Sequence, residues 1–178
     1  MGQGISLNEI CNLENKSEKT IRNKISIAQL LNLVSKFKNT FFLTELGTQF
    51  VDLGENIVDD RLNQQQIELL SNFLKENPFY SSVTYTVFSL IESVFVLSKN
   101  SYPVAKEAVK DYFVKSVGKT ETWRADKSKE TATYIFSNYA CELDFLVKVN
   151  NEFYITPKGI QAILLLQLNR SIKLIESR

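Results

Sequence analysis

The chain has 178 residues, 44% of them hydrophobic, with 21 Lys and Arg against 20 Asp and Glu and a formal net charge of +1. That is enough apolar material for a substantial core, and the length suits one large domain or two small ones. Near-balanced charge excludes the strongly basic class of nucleic-acid binder, and three prolines with six glycines leave no low-complexity stretch.

From the N-terminus, no secretory pattern of basic, apolar and small-residue segments appears, so the expected location is cytoplasmic. Ser6 is placed to cap a helix from Leu7 to Leu13, with Leu7, Ile10 and Cys11 on one face. Glu14-Asn15-Lys16 reads as a turn. Ser17 then caps a second helix in which Ile21, Ile25, Ala28 and Leu31 point inward, while Lys19, Arg22, Asn23 and Ser26 share the opposite face. Two short strands follow, near Leu33 to Phe37 and Phe41 to Leu43, joined by Lys38-Asn39-Thr40. Thr44 caps the helix leading into Gly47 to Leu53. Residues 1–53 therefore form a first unit, one without an opening helix. A helix over Gln65 to Glu76, a symmetry partner or the C-terminal helix would cover the face so exposed.

Residues 54–82 read as an acidic linker and a helix. Gly54 to Asn63 is polar, and its Asp59-Asp60 pair reads as solvated acids. Gln65 to Glu76 carries Ile67, Leu70, Phe73 and Leu74 at helical spacing and ends at Asn77-Pro78. Residues 83–178 form a second unit. Its Val83 to Leu97 segment is too short for a membrane span, contains Glu92, and reads as a buried helix. Pro103 suits the first turn of a helix to about Ser116, with Val104, Ala108, Tyr112 and Phe113 inward. Val117 to Lys127 is a polar turn in which Trp123 pins the loop to the core. Ser128 caps the next helix, with Ala132, Phe136, Tyr139, Ala140 and Leu143 in the core stripe and Glu130, Thr133, Tyr134 and Ser137 facing out. Strands from Phe145 to Val149 and Glu152 to Ile155 flank Asn150-Asn151. The last helix, from Pro157 to about Ile175, has an apolar surface too wide for one stripe, which predicts a homodimer through this C-terminal helix.

The chain also says one thing twice. Leu31-Asn32-Leu33-Val34 to Thr44-Glu45-Leu46-Gly47 recurs 112 residues later as Leu143-Asp144-Phe145-Leu146 to Thr156-Pro157-Lys158-Gly159, with Lys36 matching Lys148 and Asn39 matching Asn151. An internal repeat outranks a local motif. The expected fold class is mainly α with small β-hairpins, an α+β protein of two like units joined by a helical segment.

These residues resemble the winged helix-turn-helix superfamily of DNA-binding domains, in tandem. The resemblance rests on Ser17 to Lys24 with Leu30 to Val34 and Phe42 to Gly47, and on Leu143 to Leu146 with Tyr154 to Gly159. It implies that the helix after the turn enters the major groove and that the hairpin, or wing, touches the backbone. Lys16, Ser17, Lys19, Thr20, Arg22 and Asn23 would then face bases or phosphates, with Lys36 and Lys38 on the wing. In the second unit the corresponding set is Lys119, Arg124, Lys127, Ser128, Thr133 and Tyr134, on a longer turn and a nearly uncharged helix face. Independently, arginine and asparagine on one helix face can make paired hydrogen bonds to guanine and adenine edges, and a helix N-terminus attracts phosphate. The bland alternative for Lys19, Arg22 and Asn23 is the solvated side of an amphipathic helix.

Catalytic chemistry finds little footing. With no histidine, Ser-His-Asp and Cys-His systems and histidine-containing zinc sites are excluded. Cys11 and Cys141 fall at apolar helix positions and read as core thiols. Gly118-Lys119-Thr120 lacks the earlier glycine of a phosphate-binding loop, where Phe113 stands. The expectation is a DNA-binding protein without cofactor, metal or catalysis. It would be a transcriptional regulator or the recognition part of a restriction, replication or mobile-element system. The competing expectation is a protein-interaction scaffold.

Overall fold

A computed structural model describes residues 4–54 and 61–176; the Asp59-Asp60 pair lies outside them. An extended pair, Ile5–Ser6 (β1), runs straight into Leu7–Glu14 (α1). Ser6 and Glu9 close a capping box: Ser6 N–H donates to the Glu9 carboxylate at 2.7 Å, and Glu9 N–H donates to Ser6 Oγ at 3.4 Å. Asn15, left-handed at φ 49°, ends α1. Ser17 caps Glu18–Leu30 (α2), whose Ile21 is buried. Val34–Phe37 (β2) and Thr40–Leu43 (β3) form an antiparallel hairpin around Lys38-Asn39, so Thr40 belongs to the strand and not to the turn. β1 pairs with the other edge of β3, setting Ile5 opposite Phe41 and Ser6 opposite Thr40. This strand was not anticipated, because two residues are too few to show alternation.

Thr44 caps Glu45–Asp52 (α3). The segment that follows is tied back to the same unit: Asn63 Nδ2 donates to the Leu53 carbonyl at 2.6 Å. Gln66 Nε2, at the start of Gln64–Glu76 (α4), donates to the Phe50 carbonyl at 2.9 Å. Ser81 Oγ donates to the Leu30 carbonyl at 2.7 Å. The chain thus divides into two compact units, Met1–Leu69 with Ser81–Val83 and Leu70–Tyr80 with Thr84–Arg178.

The second unit centres on the part of Ser82–Leu97 (α5) from Thr84 onward, in which Val87, Phe88, Leu90, Ile91 and Val94 are all buried, as an unbroken apolar run requires. Then come Val104–Ala105 (β4), Lys106–Ser116 (α6), Asp126–Glu142 (α7), Leu146–Val149 (β5), Glu152–Ile155 (β6) and Pro157–Glu176 (α8). The sheet orders match, β1-β3-β2 and β4-β6-β5. From β4 onward the second unit therefore repeats the strand-helix-helix-hairpin-helix order of the first. Its extra residues fall within α6, α7, the turn between them and α8, which has 20 residues against the 8 of α3.

Three local expectations are corrected. Pro103 precedes β4, and α6 begins at Lys106; Val104, in the strand, and Phe113 are buried as expected, but Val109 and Val114 join them while Ala108 and Tyr112 face out. α7 begins at Asp126 with Ala125 at its cap, which puts Ser128 inside the first turn. Thr133 and Ser137 are buried rather than outward.

The repeated Thr-x-x-Gly has a structural cause. Asn32 and Asp144 are both left-handed, at φ 58° and 62°, and turn the chain from helix into hairpin. Thr44 Oγ1 donates to the Asn32 carbonyl at 2.5 Å and accepts from Gly47 N–H at 2.9 Å. Thr156 does the same with Asp144 at 2.7 Å and Gly159 at 2.9 Å. A Cβ on Gly47 or Gly159 would overlap the carbonyl oxygen of Leu33 or Phe145, so each glycine permits helix and hairpin to close on one another. The protein is mainly helical with two small three-stranded antiparallel sheets, an α+β architecture. Among the described residues, no helix is long and apolar enough to cross a membrane.

Candidate nucleic-acid interface

The first turn of α2 spends its hydroxyls on itself. Ser17 Oγ accepts from Thr20 N–H at 3.3 Å and shares a hydrogen bond with Thr20 Oγ1 at 2.9 Å. Lys16 reaches Glu14 at 3.2 Å. Arg22 holds Glu18 one turn earlier, through Nε at 2.6 Å and through the terminal nitrogen at 2.5 Å, with both side chains 57% exposed. An exposed i,i+4 pair of this kind contributes about 0.3–0.5 kcal/mol, so Arg22 can exchange Glu18 for another anion at small cost. Lys19 and Asn23 are exposed beside it. On the hairpin, Lys36 lies over the Phe41 ring at 5.6 Å and Lys38 over the Phe37 ring at 5.6 Å.

Two of these residues meet. Arg22 from α2 and Lys36 from β2 line a cavity of about 240 Å³ with Ser6, Asn8, Asn39 and Phe41. Its walls are two cations, two amides, the Phe41 ring and the first turn of α1, where the Glu9 carboxylate already takes the Ser6 N–H. Asn8 and Asn39 were missed by sequence reasoning because it is the unforeseen β1–β3 pairing that carries the start of α1 to the hairpin. Counted along the chain, residues 16–38 hold six Lys and Arg (Lys16, Lys19, Arg22, Lys24, Lys36 and Lys38) against the single acid Glu18, and all six cations are exposed.

The second unit fills the same positions differently. Residues 128–150, 112 further on, hold Lys129 and Lys148 against Glu130, Glu142 and Asp144. Arg22 becomes Tyr134, 55% exposed, and Lys148 sits over its ring at 5.9 Å. Ile21 becomes Thr133, which is fully buried, so the expectation that Thr133 reaches outward is overturned: it lies on the core side of α7. Asn23 becomes Ile135, which lines an apolar groove with Trp123 and Phe136. Trp123 packs on Phe113 at 5.9 Å between ring centroids, the loop-pinning role expected of it. Lys119, Lys127 and Ser128 are exposed, and Arg124 Nε donates to Glu121 at 3.0 Å.

Both cysteines are free and half-buried, and burial pushes the Cys141 thiol up, away from the reactive thiolate. Among the described residues, no three His, Cys, Asp or Glu side chains gather as metal ligands would. No family model, curated protein or solved structure matches the chain.

Proposed function

We propose that this chain is a tandem winged helix-turn-helix protein that binds double-stranded DNA sequence-specifically, with the first unit making the contact. It would serve as a transcriptional regulator or as the recognition part of a restriction, replication or mobile-element system. The observation that carries the reading is the exposed excess of five positive charges along residues 16–38, two of which, Arg22 and Lys36, line one cavity. A local excess of positive charge attracts phosphate even when net charge is near zero. Arg22 and Asn23 supply the bidentate groups that read base edges, while Lys36 and Lys38 hold the backbone. The second unit is assigned no such contact through α7. Its exposed Tyr134 and Ile135 and the groove beside Trp123 favour a protein surface there, and so the scaffold reading is retained for that unit alone.

Selection from random duplex DNA, followed by titration of the enriched site, tests this. The wild type should enrich a site. Arg22→Ala with Lys36→Ala should weaken binding by about tenfold or more, whereas Tyr134→Ala with Lys148→Ala should leave it within error. No enrichment at low salt, or equal losses from the two pairs, counts against the proposal.

A further inference from the structure

Helix α8 has two apolar sides. At about 100° per residue, Gly159, Ala162, Ile163 and Leu166 share one side and are buried in the second unit. Arg170 on that side holds Glu92 of α5 at 2.5 Å, and Lys173 lies 3.9 Å over the Phe79 ring. The opposite side presents Ile160, Leu164, Leu165, Leu168, Ile172 and Ile175, each between 38% and 73% exposed. Gln161 and Ser171 complete that side, which carries no charge over its length.

We infer that this side of α8 is a homodimer interface, packing antiparallel against α8 of a second copy about a two-fold axis near Leu168. Three observations select this occupant. A two-fold contact brings a surface against itself, so the charge complement of an uncharged face is an identical uncharged face, with no like-charge opposition. Leu165, Leu168, Ile172 and Ile175 recur at spacings of three, four and three, the seam that interlocks with a copy of itself in helix pairs. Lys158 at the start of α8, 3.4 Å from Asp144 of its own copy, and Glu176 at its end lie on the same flank. Antiparallel pairing sets Lys158 of each copy beside Glu176 of the other and opposes the two helix dipoles favourably.

Sedimentation of the full chain at micromolar concentration should give the mass of two chains. Gln161→Glu with Ser171→Glu adds carboxylates to the exposed side without removing a core contact; it should halve that mass and leave the far-UV circular dichroism unchanged. Leu164→Arg with Leu168→Arg should do the same, and if that variant fails to fold the Gln161/Ser171 variant decides. In a chain carrying Cys11→Ser and Cys141→Ser, Leu168→Cys should yield a covalent dimer on mild oxidation. Ile175→Cys alone should not, but should do so when mixed with Gln161→Cys chains. A monomeric wild type, whether the face is open or covered from within its own chain, overturns the proposal. So does a dimer that survives the added carboxylates, or one cross-linked by Ile175→Cys alone.

Discussion

Thr133 occupies in α7 the place that Ile21 holds in α2, one repeat length earlier, and like Ile21 it is buried. Its hydroxyl has no hydrogen-bond partner among the described residues. A buried hydroxyl without a partner costs about 1–3 kcal/mol of desolvation. Thr133→Val keeps the shape, removes the polar atom, and should raise the unfolding free energy by about 1 kcal/mol. Urea unfolding of the full chain measures it, and a loss of stability would mean that the hydroxyl is satisfied after all. The same residue shows why the sequence was misread. Thr133 and Ser137 interrupt the core stripe of α7 with polar side chains, so spacing alone admitted a rotated stripe that put both outside. The 112-residue register resolves the rotation, since it lays Thr133 on Ile21 and Ser137 on Ile25. Gly47 and Gly159 were visible in that register from the start, and their close approach to a carbonyl explains why the repeat retains a glycine there.

Between elements, legibility followed length. The helices α2, α5, α7 and α8 and the hairpins β2–β3 and β5–β6 carry enough periodic residues to be read, whereas β1 and β4 are two-residue strands whose only signal is their partner across the sheet. Missing β4 displaced the start of α6 and its inward face, and with them the role of Lys110. That lysine is buried, and its ammonium reaches Glu107 at 2.8 Å, Asp126 at 3.5 Å and Glu130 at 4.0 Å, fastening α6 to the first turns of α7. The hydrogen bond to Glu107, with the charge of Asp126, raises the Lys110 pKa above its ordinary value against the opposing pull of burial. Its contribution to stability is therefore fully present below about pH 10.4 and is lost as pH rises through the higher folded value. Lys110→Met should lower Tm at neutral pH, and the gap between the two proteins should close at strongly alkaline pH. A gap that stays constant across that range would remove the charge from the explanation and leave only packing.

For the molecule as a whole, a net charge of +1 conceals an uneven distribution, and the salt dependence of the proposed DNA binding is the quantity that reads it. Residues 51–100 carry seven acids against three bases, so attraction to phosphate cannot be spread evenly along the chain. If contact is confined to α2 and its hairpin, with Arg22 on base edges, the number of phosphates neutralised is set by Lys16, Lys19, Lys36 and Lys38, and the logarithm of affinity falls with the logarithm of salt at about 0.9 per phosphate. Removing a phosphate contact should then lower the slope by about 0.9, as expected for Lys36→Ala and for Lys38→Ala. Lys119→Ala, Arg124→Ala and Lys127→Ala together should leave the slope unchanged, because residues 119–150 carry five acids against five bases. Binding isotherms over a range of potassium chloride concentrations distinguish the cases. A slope that falls equally for both groups would place phosphate contacts on both units and return α7 to the interface; a flat response in the wild type would remove the phosphate backbone from the mechanism altogether.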